Sequence, residues 1–159
     1  MYRIYAAGAC RHNNSALLAY AGLGAFLINP QGLTLELARP IDENRPTSNK
    51  AVMLAMIAAL EVLTGKPRTS VRIFSNNEMV ITSAATRLAE WRANGWRKSN
   101  KKPVENAELW QTLDEHLQNH AVSFEWLQGR SSCPEFKKAS WLAQQGTDGR
   151  VIKSYSEAP

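Results

Sequence analysis

Between Trp91 and Lys102 the chain reads WRANGWRKSNKK, so that Arg92, Arg97, Lys98, Lys101 and Lys102 are interleaved with Trp91 and Trp96. Cations spaced along a loop neutralise phosphates and indole rings stack on sugars or bases, so this pattern suits the gripping of a nucleic-acid backbone. The plainer reading is that the tryptophans pack a helix junction and the lysines are simply solvated. For Trp91 the core is the expectation; for Trp96 both readings stay open. His116 and His120 have the four-residue spacing of a helical metal pair. No third ligand accompanies them, and a histidine in a last helical turn serves the helix dipole instead. Lys137 and Lys138 stand in the first turns of another helix, where cations are disfavoured unless an anion or an acidic protein surface docks beside them.

Positioning such residues requires a folded domain, and 159 residues with 44% hydrophobic side chains are enough for one. Nineteen Lys and Arg against fourteen Asp and Glu give a net charge of +5, which is compatible with a polyanionic partner. No apolar run approaches the roughly 18 residues of a membrane span, and the N-terminus lacks a signal-peptide pattern. A cytoplasmic protein without membrane association is therefore expected. Cys10 and Cys133 fit neither a zinc site nor a disulfide framework and are expected as thiols.

The apolar segments MYRIYAAGA, AGLGAFLINP and GLTLELARP read as strands, the last two joined by a hairpin turn at Asn29–Gly32. PTSNKAVMLAMIAALEVLTGKP reads as a helix: Val52, Met53, Met56, Ile57, Leu60 and Leu63 recur at three- and four-residue spacing, with Thr47 or Ser48 as cap. SVRIFS is a short central strand. A helix follows from Asn77 to Trp91, then a glycine- and lysine-rich break, a helix in AELWQTLDEHLQNH and a strand in AVSFEWLQG. Pro134 opens a last helix that Gly146 should end. Residues 1–146 are expected as the domain and 147–159 as a poorly ordered polar tail.

This order of segments resembles the type 1 ribonucleases H over nearly all of residues 2–145. The likeness is carried by IYAAGAC in the first strand, GLG at 22–24, SNKAVMLAMIAALEVL, RIFSNNEMV, the run WRANGWRKSNKKPVENAELWQTL, and FEWLQGRSSCPEFKKASWLA. It implies an α/β fold, ribonuclease H-like, with a five-stranded mixed sheet flanked by helices. It also implies cleavage of the RNA strand of RNA–DNA hybrids by two Mg²⁺ ions. Such ions sit about 3.5–4 Å apart and need several carboxylates to hold them against their mutual repulsion.

Matched by motif, those carboxylates fall on Ala7, Val52, Asn76 and Ser140, and the assisting loop histidine falls on Arg130, which cannot act as a base. The resemblance further places Asn13 at a minor groove, and Thr47 with Asn49 at a phosphate of the DNA strand. Trp96, Arg97, Lys98, Lys101, Lys102 and Arg130 complete the expected nucleic-acid surface, while Glu78 brings an opposing charge to it. The expectation is therefore a catalytically inactive ribonuclease H-like module, not an enzyme. It would bind a hybrid or another duplex without cleavage and need neither metal nor cofactor. The alternative is a protein-interaction or scaffold subunit that uses the old groove. A third reading, a working nuclease with relocated ligands such as Glu36, Glu78 and Glu135, would require these to converge on one point.

Overall fold

The computed structural model describes residues 1–12, 19–42, 46–128 and 132–156. Six strands form one mixed sheet: β1 (Tyr2–His12), β2 (Ala19–Ile28), β3 (Thr34–Ile41), β4 (Ser70–Ser75), β5 (Ala121–Trp126) and β6 (Ile152–Tyr155). Their spatial order is β5-β4-β1-β2-β3-β6. β1 pairs antiparallel with β2 and parallel with β4, with Tyr5 opposite both Phe26 and Phe74, and β5 runs parallel to β4. The parallel pairs require crossovers, which α1 (Ser48–Glu61) and α4 (Ala107–Gln118) supply. The β2–β3 hairpin turns where expected: the Asn29 amide N–H donates to the Leu33 carbonyl at 2.9 Å, and Gly32 adopts a φ of +86°.

Two layers of helix bury the two faces of the sheet. α1 is apolar almost all round, with nine buried residues from Ala51 to Leu60, because the sheet lies on one side and α4 on the other. Ile4, Leu23, Leu37 and Ile73 of the sheet and Trp91, Trp110 and Leu113 of the helices complete this larger core. On the opposite face α5 (Pro134–Thr147) lies across β1, β2 and β3, packing Phe136, Ala139 and Ala143 near Tyr5 and Ala7.

The structure departs from the sequence reading in four places. The sheet has six strands and not five, since Ile152–Tyr155 adds to the edge of β3 where a poorly ordered tail is expected. The segment after Asn77 is two helices, α2 (Glu78–Thr86) and α3 (Leu88–Ala93), separated at Arg87. Gly146 lies inside α5 and does not end it. A Cβ there would come within 2.3 Å of the Arg39 carbonyl oxygen, so glycine permits the helix to approach β3. His120 lies beyond α4, buried, its Nδ1 accepting from the Thr69 amide at 3.3 Å, which leaves no histidine pair on a helix face.

Candidate nucleic-acid interface

The four positions at which the resemblance puts carboxylates lie on β1, α1, the turn after β4 and α5. The parallel β1–β4 register pairs Tyr5 with Phe74; Ala7 follows two residues on within β1, and Asn76 two residues on, just past the end of β4. Gly8 lets α1 approach β1, its ideal Cβ position being 2.8 Å from the Val52 nitrogen. Ala7 packs in one cluster with Ala139, the residue before Ser140. Ala7 and Val52 are each 3% exposed, Ser140 is half-buried and Asn76 is exposed. The donor set does not fit a pair of divalent cations: two of the four side chains are hydrocarbon, one is a neutral amide and one a hydroxyl. Among the described residues no group of three or more His, Cys, Asp or Glu side chains could hold a metal ion.

Around this point the polar groups are tied to one another. Thr47 caps α1, its Oγ1 accepting from the Lys50 amide at 3.1 Å. Asn77 caps α2 in the same way, its Oδ1 accepting from the Val80 amide at 3.0 Å. Its Nδ2 crosses to α1 and donates to Asn49 Oδ1 at 2.8 Å. The Asn76 carbonyl accepts from Trp126 Nε1 at 3.3 Å, fixing the end of β4 against β5. Asn77 and Trp126 were not legible as part of this network from the sequence, although an Asn before a new helical period is a cap signal.

The start of α5 holds a second cluster. The Cys133 thiol donates to Glu135 at 3.3 Å. The Glu135 carboxyl is held below the usual carboxylate range, first by its own backbone N–H and then by that thiol. Burial pushes the Cys133 thiol up, and burial likewise raises the Tyr5 hydroxyl, whose ring stacks on Phe74 with centroids 4.5 Å apart. The expectation that an external anion compensates the cations of α5 is corrected for Lys138. Its Nζ lies 2.7 Å from Glu36 Oε1 and 4.8 Å from the centre of the Trp141 ring. Trp141 itself is an exposed side chain of α5. Glu36 is thus bound to Lys138, and does not join Glu78 and Glu135 in a relocated ligand set.

The basic segment forms a tight hairpin. Arg97 bridges to Pro103, the Lys98 amide donates to the Lys102 carbonyl at 2.8 Å, and Arg97 Nη1 donates to the Lys101 carbonyl at 3.1 Å. Lys101 takes a φ of +67° at its tip. Arg97, Lys98, Lys101 and Lys102 are all exposed. Trp91 is buried as expected, at 5.5 Å and a 58° tilt from Trp110. Trp96 is half-buried against the core, which leaves the outer surface of the hairpin to the cations. A groove of about 440 Å³ separates the hairpin from α2, lined by Lys98, Arg87, the exposed Met79 and the buried Trp110, with Glu78 and Glu105 also among its lining. Asn13 and Arg130 lie outside the described residues.

A mixed sheet in this strand order, covered by α1 and α4 on one face and α5 on the other, defines a ribonuclease H-like fold. The chain belongs to the RNase H family, whose pattern it matches over residues 1–148. It is similar to Ribonuclease H of Paramagnetospirillum magneticum, 36% identical over 143 residues, covering 90% of this chain and 87% of that one. Among solved structures it superposes on LC9-RNase H1, described as a type 1 RNase H with the type 2 active-site motif. The TM-score is 0.80 at 20% identity, over 99% of this chain and 77% of that one. It also superposes on the foamy viral protease-reverse transcriptase in complex with RNA/DNA hybrid, with a TM-score of 0.71 at 20% identity, over 92% of this chain and 20% of that one. These two likenesses establish the fold. The sequence relative corrects the expectation that the chain is not an enzyme: a protein sharing 36% of residues over nine-tenths of the chain is named Ribonuclease H, which points to an enzyme. No helix among the described residues is long and apolar enough to cross a membrane.

Proposed function

We propose that the chain binds a nucleic-acid duplex, RNA–DNA hybrid foremost, across the surface that runs from Thr47 and Asn49 to the hairpin of Arg97, Lys98, Lys101 and Lys102. The hairpin carries this reading. Four cations are exposed on a loop whose backbone is fixed by its own hydrogen bonds, so little ordering opposes their contact with phosphates. The fold neighbour solved with an RNA/DNA hybrid supports a hybrid as the first ligand to test. The resemblance adds Asn13 and Arg130, which lie outside the described residues, as further contacts to test. Trp96, largely committed to packing, contributes its exposed edge.

The side chains at Ala7, Val52, Asn76 and Ser140 carry no charge and so add no repulsion of their own to an approaching phosphate. Glu78 opposes it and should be turned away from the bound strand. The test is a titration against labelled RNA–DNA hybrid, double-stranded RNA and double-stranded DNA with Mg²⁺ or Mn²⁺ present, reading binding and cleavage from the same tubes. Hybrid binding that weakens steeply with salt is expected; no binding to any duplex at low salt would overturn the proposal.

A further inference from the structure

We infer that Asn77 is a positioning residue that sets which end of the Asn49 amide faces the bound strand. The inference rests on the duplex-binding reading above and deepens it. A backbone N–H can only donate, so the Asn77 atom that meets the Val80 amide at 3.0 Å is its oxygen. The other end of that side chain, Nδ2, is then the atom directed at Asn49. Because Nδ2 only donates, the atom of Asn49 that receives it at 2.8 Å is Oδ1. The helix cap of α2 thereby determines the orientation of an amide in the first turn of α1, 28 residues away in sequence.

Asn49 is half-buried, and with Oδ1 engaged its remaining polar group is the Nδ2 donor pair. A phosphate diester accepts hydrogen bonds and donates none. An amide free to rotate would present oxygen part of the time and repel it; this one is held with its donor available. The Thr47 cap fixes the backbone of the same turn, so both the place and the polarity of the contact are set before the strand arrives. The ligand chemistry assigned to Asn49 is a phosphate oxygen of the bound strand, and Asn77 acts on it only through Asn49.

A double-mutant cycle tests this with the full chain and a labelled RNA–DNA hybrid. Serine is an equally good helix cap, so Asn77→Ser keeps the acceptor for Val80 and the fold while removing the donor to Asn49. Asn77→Ser is expected to weaken hybrid binding about three- to tenfold where Asn49 is present, the worth of one oriented hydrogen bond. In an Asn49→Ala background it is expected to change nothing further. The side-chain amide resonance of Asn49, followed by ¹⁵N NMR without any nucleic acid, should shift in Asn77→Ser. Equal losses in both backgrounds, or wild-type affinity with an unmoved Asn49 resonance in Asn77→Ser, would overturn the inference while leaving duplex binding in place. A wild-type protein that binds no hybrid would overturn the reading beneath it as well.

Discussion

Asp114 takes both of its hydrogen bonds from one guanidinium: Arg92 Nε reaches Oδ2 and Arg92 Nη2 reaches Oδ1, each at 2.8 Å. The carboxylate is buried and the Arg92 side chain half exposed. Arg92 belongs to α3 and Asp114 to α4, and the basic hairpin is the connection between those helices. The pair therefore fixes the base from which the hairpin projects. Asp114→Asn leaves one oxygen to meet two charged donors and turns an amide nitrogen toward one of them. We predict a Tm lower by a few degrees, measured by differential scanning fluorimetry, with a smaller fall for Arg92→Lys, which keeps the charge but loses the two-pronged geometry. An unchanged Tm in Asp114→Asn would show that the pair holds nothing in place.

The hairpin lysines make a separate prediction. Each phosphate neutralised by a cation contributes about 0.9 to the slope of log affinity against log salt on a duplex. Changing Lys98, Lys101 and Lys102 together to Ala should lower that slope for RNA–DNA hybrid by roughly 2 to 3, if each meets a phosphate. Because all three side chains are exposed, the Tm should stay within about a degree of wild type. An unchanged slope at reduced affinity would assign the loss to hairpin shape, and an unchanged affinity would remove the lysines from the interface.

Much of the fold was legible because its signals are redundant. The α1 helix carries an apolar period, a Thr47 cap and a glycine beyond its end, and all three agree. The β2–β3 turn is written in Asn29 and Gly32. β6 was not legible, because an edge strand with three of its four residues exposed has no alternation to display. It is held by backbone pairing to β3 and by the Ser156 hydroxyl, which accepts from the Thr34 amide at 2.7 Å. Gly146 misled because glycine ends helices and also admits close neighbours, and only the position of Arg39 shows which use applies. At the site, residue types were readable and pairings were not. Lys138 reads in the sequence as a cation awaiting an anion, and only the fold brings Glu36 beside it; the Asn49–Asn77 bridge likewise depends on a tertiary approach between α1 and α2.

Gly24 is expected to be intolerant of any side chain. An ideal Cβ there would stand 2.2 Å from the Ala139 carbonyl oxygen and 2.3 Å from the Ala143 nitrogen, both backbone atoms of α5. Neither can rotate away, so α5 would have to lift from β2 and open the cluster that contains Ala7 and Phe136. Gly24→Ala should cost about 3 kcal/mol or more in urea denaturation, the upper range for overpacking. By contrast Gly32→Ala, at an open turn with nothing within 4 Å of the added carbon, should cost only the strain of a positive φ, about 1 kcal/mol. Equal costs would mean that α5 can shift without loss.

The Tyr5 hydroxyl gives a stability signature at alkaline pH. Burial raises its pKa above the ordinary tyrosine value near 10, the nearby Arg3 offsetting part of the effect with a 3.4 Å hydrogen bond to the hydroxyl. A group whose folded pKa is raised holds its proton longer in the folded state than in the unfolded one. Its contribution is complete below the unfolded value and is lost as pH rises through the folded value. Wild-type protein should therefore lose stability above about pH 10 faster than Tyr5→Phe. The variant keeps a ring to stack on Phe74 and removes the ionisable hydroxyl, so its Tm below pH 9 should change little and the comparison isolates the titration. The measurement is Tm against pH from 8 to 11 for both proteins. Curves that coincide below pH 9 and separate as pH rises, wild type falling below the variant, are the expected result; parallel curves would show that Tyr5 ionises as freely in the folded chain as in the unfolded one.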